Sequence, residues 1–281
     1  MRIGAAVSIA LAGVALAAIV WVSATTQGTR WLLAAAAQLS GVSFSAQEIE
    51  GRLIDHLLLR GVRVGLAQQR VELDSLELSW KPLLLLAGTV AVQELTLKGV
   101  RIQDDSPPDN KPPVLAWPRV SEFEQLLDGN IARLRVADLV YRRLQEQPQL
   151  VTSIAGSVTW QDSILSLTDL KALSPSGRID GSISAGFKQS SLTSDLAIAL
   201  TQPIAEMDRF SLQARRASGM GPEPFVGTIT VAGSAGTRKL LEIGGDMGMA
   251  HNAINLRRLR LTRPGKKGLL TADGSLAFTS R

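Results

Sequence analysis

The sequence predicts a mainly β protein, with an N-terminal transmembrane helix followed by an elongated, curved and twisted β-sheet of repeat architecture. An uncharged apolar stretch at the N terminus, a period-two apolar pattern from about Arg52 onward and a recurring strand unit indicate this fold. Of the 281 residues, 45% are hydrophobic and 20% are charged. That composition allows a substantial buried surface and excludes a multi-span membrane protein.

The apolar stretch comes first in the chain. No charged residue occurs between Arg2 and Arg30, and residues 3–22 form 20 apolar or small positions. As a helix this stretch is about 30 Å long, the thickness of a bilayer's hydrocarbon core, and Trp21 lies where interfacial aromatic residues occur. We therefore expect residues 1–24 to be a retained anchor, with the rest of the chain on the far side of the membrane. The alternative is a signal peptide cleaved after residues 22–24, although the run exceeds the usual length of about 7–15 residues.

A short connecting helix is expected over residues 25–40. Thr29 is a suitable N-cap, and apolar residues follow at helical spacing, at Leu32, Ala35, Ala36 and Leu39. Such a helix would either plug the end of the following sheet or lie flat on the membrane.

Residues 41–281 form the predicted β body, in which one unit recurs: apolar-x-apolar, two residues, then apolar-x-apolar. It occurs at residues 57–64 and again, 38 positions later, at residues 95–102. Further copies are Val71/Leu73/Leu76/Leu78, Leu134/Val136/Leu139/Tyr141, Leu165/Leu167/Leu170/Ala172 and Ile254/Leu256/Leu259/Leu261. Units of this kind cannot bury an apolar face singly, so the pattern predicts stacking into a continuous sheet.

The three-residue step inside each unit has a structural consequence. Successive strand residues point to opposite faces, so a step of three turns the second half outward unless a bulge or bend intervenes. Gly61 and Gly99 occupy the step in two copies, and Asp138 and Asp169 in two others. We predict a bulge or bend at these positions, where glycine adopts positive φ at least cost.

Turn signals divide the rest of the body. Residues 104–118 contain five prolines and are predicted to be a loop in which Asp104 and Asp105 are solvated. Residues 244–246, Gly-Gly-Asp, are predicted to form a turn. About 225 residues at about 14 per strand and turn predict roughly 16 strands, which at ~4.8 Å spacing span about 75–80 Å. Because the chain ends within a strand-like pattern, we expect it to be a truncated fragment.

The composition favours few kinds of chemistry. The absence of cysteine excludes disulfides, thiolate metal sites and cysteine nucleophiles, and only two histidines occur. His56 is expected to be partly buried, and His251 has no acidic or histidine neighbour in sequence. The basic residues are scattered, which argues against nucleic-acid binding. No phosphate-binding loop, zinc motif or nucleophile elbow is present, so we expect no enzyme, no cofactor and no metal.

Several segments resemble a known family. These are TTQGTRWLL after the apolar stretch, IEGRLIDHLLLRGVRV, and VELDSLELSWKPLLLLAGTVAVQELTLKGVRI before the proline-rich break. They resemble the N-terminal region of the TamB proteins of the translocation and assembly module, within the AsmA-like group. The resemblance is clearest over residues 1–145, and residues 80–83 and the two G-V-R-[VI] units are its most distinctive parts.

The resemblance implies an inner-membrane anchor that carries a taco-shaped sheet through the periplasm, where its apolar groove shields phospholipid acyl chains on their way to the outer membrane. It also implies a role in the assembly of outer-membrane proteins and autotransporters, with an Omp85-type barrel as partner. That partner is associated with the family's C-terminal domain, which has no counterpart before Arg281. The expected groove wall consists of Leu57, Leu59, Val62, Val64, Leu76, Leu78, Leu95, Leu97, Val100 and Ile102.

Two other interpretations remain open. The same residues could be an ordinary core packed against a second sheet, and the protein an envelope adaptor that binds a partner by strand addition at a sheet edge. A membrane-tethered enzyme would instead need acidic residues that converge in a polar cleft. The structure can distinguish the three interpretations. An open apolar groove would support the lipid scaffold, a closed sandwich with a bare sheet edge the adaptor, and a polar cleft with acidic residues the enzyme.

Overall fold

The computed structural model of the protein describes residues 43–52, 54–66, 68–106, 128–144, 146–188, 191–216, 225–250, 253–263 and 269–277. These residues are mainly β, in agreement with the predicted class, and contain sixteen strands and one 3₁₀ helix at Pro82–Ala87. The first eight strands are β1 Ser43–Ser45, β2 Glu48–Arg52, β3 His56–Leu66, β4 Gln69–Trp80, β5 Thr89–Lys98, β6 Arg101–Asp104, β7 Asp128–Arg143 and β8 Gln149–Gln161. The others are β9 Ile164–Ser174, β10 Gly177–Gly186, β11 Ser191–Ile204, β12 Met207–Arg216, β13 Phe225–Ala235, β14 Arg238–Ala250, β15 Ala253–Thr262 and β16 Leu269–Ala277.

The chain divides into two compact units. The first includes the described residues up to Ser106 together with Val136–Gln149, and the second includes the described residues from Asp128 to Arg135 and from Leu150 onward. Strand β7 therefore contributes its second half to the first unit and its first half to the second.

In the first unit, β3 pairs with β1 and β2 on one side and with β4 on the other, all antiparallel. Strand β4 pairs through its second half with β5 and through its first half with β6. The β6 strand also pairs in parallel with residues 140–143 of β7. Both β5 and β6 pair with β4, and the register with β4 does not shift between them. They therefore form a single strand that is interrupted at Gly99 and Val100.

The second unit is an antiparallel meander in which each strand from β8 to β16 pairs with the next. Its register aligns apolar or small residues from β9 to β15 in one cross-strand row. The row consists of Leu170, Gly181, Leu196, Leu212, Val231, Ile243 and Leu261. Because directly paired residues lie on the same side of a sheet, these residues give one face a continuous apolar band.

The predicted bends occur at the three-residue steps. Gly61, Gly99, Asp138 and Asp169 all have positive φ, between 52° and 62°. The unit that begins at Ile254 has its bend at Arg258, with φ of 51°, where the pairing with β16 shifts register. One residue of left-handed conformation therefore lies at the step in five copies of the repeat, as expected for a bulge or bend.

Several predictions from sequence were wrong in detail. Residues Gly244–Asp246 lie inside β14 rather than in a turn, and the register with β15 shifts between Gly244 and Asp246 opposite the bend at Arg258. Asp104 is the last residue of β6 and is buried, whereas a solvated loop position was expected. His56 begins β3 and is exposed rather than partly buried.

Other predictions fall outside the described residues: the anchor at 1–24, the connecting helix at 25–40, residues 107–118 of the proline-rich loop, and His251. Among the residues that are described, no helix is both long enough and apolar enough to cross a membrane.

Candidate functional site: an apolar face and a charged face

The first unit carries an apolar surface assembled from neighbouring strands. Leu57 pairs with Leu78 and Leu78 with Leu95, and the next row joins Leu59, Leu76 and Leu97. Beyond the step in each strand, Val62 pairs with Leu73, and Val71 pairs with both Val64 and Ile102. We call these residues and Val100 the apolar face: Leu57, Leu59, Val62, Val64, Val71, Leu73, Leu76, Leu78, Leu95, Leu97, Val100 and Ile102.

In β3, the two halves of the strand share this face because of the bend at Gly61. In β3, Leu57, Leu59 and Val62 are 2–4% exposed, whereas Arg60 and Arg63 are exposed. A straight strand would place Val62 on the side of Arg60. With positive φ at Gly61, Val62 is instead buried on the same side as the leucines.

Burial is uneven across the apolar face. Leu57, Leu59, Val62, Leu73 and Val100 are buried. Leu76, Leu78, Leu95 and Leu97, in the two rows of leucines, are half-buried, as are Val64, Val71 and Ile102. The rows in β4 and β5 therefore retain accessible apolar surface.

Polar residues close one end of the face. Ile102 pairs in parallel with Tyr141, whose hydroxyl donates a hydrogen bond to Oδ2 of the buried Asp104 at 3.2 Å. The amide of Ser106 donates to Asp104 Oδ1 at 3.0 Å. Hydrogen bonds from Ser106, and less from Tyr141, lower the pKa of Asp104, while burial and the nearby carboxylate raise the pKa of Tyr141.

The other end of the face leads to the turn between β4 and β5. Beyond the row of Leu78 and Leu95, the register shifts by one residue, and Trp80 pairs with the buried Val92. Since Trp80 is two residues beyond Leu78, it lies on the same side of β4. The apolar face therefore continues to the last residue of the strand.

The opposite side of the same strands is charged. Arg60 forms ion pairs with Glu48 at 2.9 Å and Glu50 at 3.6 Å, and Arg101 Nη1 lies 2.9 Å from Asp74 Oδ1. The Asp74 carboxylate raises the pKa of Arg101. Arg63 pairs with Glu72, and Lys98 with Glu77, at 3.8 and 4.0 Å. Exposed ion pairs add little stability, but they make this side of the sheet polar and suited to contact with water.

A cavity beside these charges is not suited to an acyl chain. It has a volume of about 300 Å³ and is lined chiefly by charged-side residues, including Arg70, Glu72, Arg101 and Arg142. Within the described part of the chain, no group of three or more His, Cys, Asp or Glu side chains is placed to hold a metal ion.

All ten predicted groove residues lie on the apolar face. Val71 and Leu73 belong to a recognised repeat copy but were not predicted as wall residues. Trp80, Val92 and Tyr141 extend the face and were also missed. The pairing of Trp80 with Val92 depends on a one-residue shift at Gln93, for which the sequence has no glycine or proline signal.

Comparison with known proteins finds a family match in the part of the chain that forms the apolar face. Residues 15–115 match the family model described as TamB, N-terminal domain. The match shows a TamB N-terminal domain over these residues, about a third of the chain. The match contains every strand of the apolar face, from β3 to β6, and the turn between β4 and β5. No curated protein and no solved structure matches the chain.

TamB proteins are envelope-associated components of a membrane assembly module. A TamB N-terminal domain therefore indicates an envelope-associated function related to that module.

Proposed function

We propose that the protein is a non-catalytic scaffold that is anchored in the inner membrane by one N-terminal span and shields phospholipid acyl chains on its apolar face in the periplasm. The shielding serves lipid transfer between the inner and outer membranes, and the same scaffold supports the assembly of outer-membrane proteins. The supporting observation is the continuous apolar face of β3–β6, with a charged face on the other side of the same strands.

The dimensions of the apolar face suit an acyl chain. Along β4, Val71 and Leu78 are seven residues apart, about 20 Å at the rise of a twisted strand. Half of a bilayer's hydrocarbon core is about 15 Å thick. Three neighbouring strands add about 10 Å of width. One acyl chain can therefore lie along the rows, where each buried CH₂ contributes about 0.8 kcal/mol.

Strand addition is the weaker candidate at the described edge of the first unit. Strands β1 and β2 have three and five residues, and within the described ranges they pair only with β3. Glu48, Glu50 and Arg52 lie on β2. Short, charged edge strands are a common protection against further pairing.

A charge placed in the leucine rows tests the proposal. Leu97→Asp and Leu78→Arg change half-buried positions, where the new charge can reach water when no lipid is bound but must be desolvated beside an acyl chain. We expect both full-length variants to remain folded and to lose at least about tenfold in photo-crosslinking to phospholipid from a reactive side chain at Leu76.

Ser75→Asp is the matched control. Ser75 lies on the charged side, paired with Arg60 and Lys98, so an added carboxylate there has two cationic neighbours. Its crosslinking should equal that of the wild type. If Leu97→Asp and Leu78→Arg unfold outright, the leucines are closed core. If both fold and crosslink normally, the apolar face does not carry lipid.

A further inference from the structure

The turn between β4 and β5 exposes more apolar surface than a hairpin connection needs. After Lys81, the 3₁₀ helix Pro82–Ala87 has the sequence PLLLLA, and Gly88 ends it in a left-handed conformation. Leu83 is 78% exposed, Leu84 40% and Leu85 36%. Single exposed leucines are ordinary, but three in succession at one tip indicate a contact with an apolar partner.

The arrangement of these three leucines indicates which kind of apolar partner contacts them. A 3₁₀ helix has three residues per turn, so Leu83, Leu84 and Leu85 point about 120° apart and surround the helix axis. A groove in a protein contacts one stripe of a helix and leaves the remaining sides in water. Liquid hydrocarbon, in contrast, can contact all sides together.

The backbone and the flanking residues also suit a membrane surface. The amides of Leu84 and Gly88 donate to the carbonyls of Lys81 and Leu85 at 3.1 and 3.0 Å, which lowers the cost of removing this backbone from water. Trp80 and Lys81 precede the turn, and residues 80–88 contain no acidic side chain. Tryptophan and lysine are typical of the lipid–water interface. Six 3₁₀ residues are about 12 Å long, which is enough for shallow insertion.

We propose that the 81–88 turn inserts into the surface of the lipid bilayer and brings the end of the apolar face into contact with it. The row of Trp80 and Val92 joins the turn to the leucine rows, so apolar surface is continuous from the turn along β4 and β5. Eighteen residues separate the predicted anchor at 1–24 from β1, and their fully extended length is at most about 65 Å. The anchor therefore limits the distance between the turn and the membrane. This role as a point of lipid entry rests on the proposed function.

Depth-dependent fluorescence quenching tests the insertion. The chain has no cysteine, so full-length Leu83→Cys and Ile204→Cys each carry one site for an environment-sensitive dye. Ile204 is the matched control because it is an apolar residue, 61% exposed, at the end of β11. In phosphatidylethanolamine–phosphatidylglycerol vesicles with spin-labelled acyl chains, we expect at least twofold stronger quenching of the dye at residue 83 than at 204.

Equal quenching at the two positions would overturn the inference. So would a dye at residue 83 that is shielded from aqueous iodide but not quenched by lipid, since that result identifies a protein partner. Replacing Leu84 and Leu85 by Asp in the labelled Leu83→Cys protein should reduce lipid quenching to the level seen at residue 204, because insertion would then bury two charges in place of apolar side chains. If the dye at residue 83 is not quenched but phospholipid still crosslinks at Leu76, the insertion is refuted and the proposed function stands. If the dye is quenched but phospholipid does not crosslink at Leu76, the proposed function is refuted and the insertion stands.

Discussion

At the scale of the residue, one left-handed position in each repeat places the apolar side chains on either side of it on the same face. Gly99 shows the local requirements, with φ of +62° and a Cβ position that would overlap the carboxylate of Asp74. The same carboxylate accepts hydrogen bonds from Arg101. A side chain at Gly99 would therefore strain the backbone and displace an ion pair.

Gly99→Val should consequently cost more stability than Gly65→Val. Valine at φ of +62° is strained, whereas Gly65 lacks positive φ, and a Cβ there would meet only the side chain of Ser43, whose hydroxyl can rotate away. We expect Gly99→Val to lower the free energy of unfolding by about 2 kcal/mol more than Gly65→Val. Denaturant unfolding of the full-length variants measures the difference, and equal losses would mean that Gly99 imposes no special conformation.

Residue type predicted these bends only in part. Glycine and aspartate at the three-residue step were recognised, because both tolerate positive φ. Arg258 was not recognised, since its conformation is supported from other strands: its amide donates to Asp273 Oδ1 at 2.7 Å and its Nε to Asp246 Oδ2 at 2.6 Å. Gly244–Asp246 were predicted to form a turn because of their residue types, although they form the partner side of this bend in β14.

At the scale of the element, the existence of the strands could be predicted, but their partners could not. Alternation of apolar residues identifies a strand through local sequence alone, whereas pairing joins residues far apart in the chain. The parallel pairing of β6 with β7 is an example, because it follows a connection that includes the proline-rich segment. The burial of Asp104 depends on this pairing, since its partner Tyr141 comes from β7.

The contact between β6 and β7 should depend on pH through Asp104. Hydrogen bonds from Ser106 and Tyr141 hold its folded-state pKa below the ordinary value of 3.8. A depressed folded-state pKa contributes stability that is fully present above the unfolded-state pKa and is lost as the pH falls through the folded-state value. The stability difference between the wild type and Asp104→Asn should therefore be constant above about pH 5 and shrink below about pH 4.

Denaturant unfolding between pH 3 and pH 7 measures this difference. Asp105→Asn is the control, because it removes a charge at the neighbouring exposed position. A difference for Asp104→Asn that stays the same down to pH 3 would show that its carboxylate is not stabilised by the strand contact.

At the scale of the whole molecule, sequence predicted the mainly β class and the TamB character of the N-terminal region, because both depend on patterns that extend over many residues. The family match covers residues 15–115, which contain the period-two units and the Trp-Lys-Pro-Leu segment. The division into two units was not predicted. It falls within β7, a single strand whose two halves belong to different units, and no change of composition marks that position.

The remaining prediction concerns topology. We expect residues 1–23 to remain attached as a membrane span and residues 30–281 to lie in the periplasm, because residues 3–22 are apolar over the length that a bilayer requires and Arg2 precedes them. Protease added to intact spheroplasts should degrade the body while a cytoplasmic marker survives. Edman sequencing of the mature chain should begin at or near Met1. A mature N terminus at Thr25 would show that the segment is cleaved, and a protease-protected body would show that the orientation is reversed.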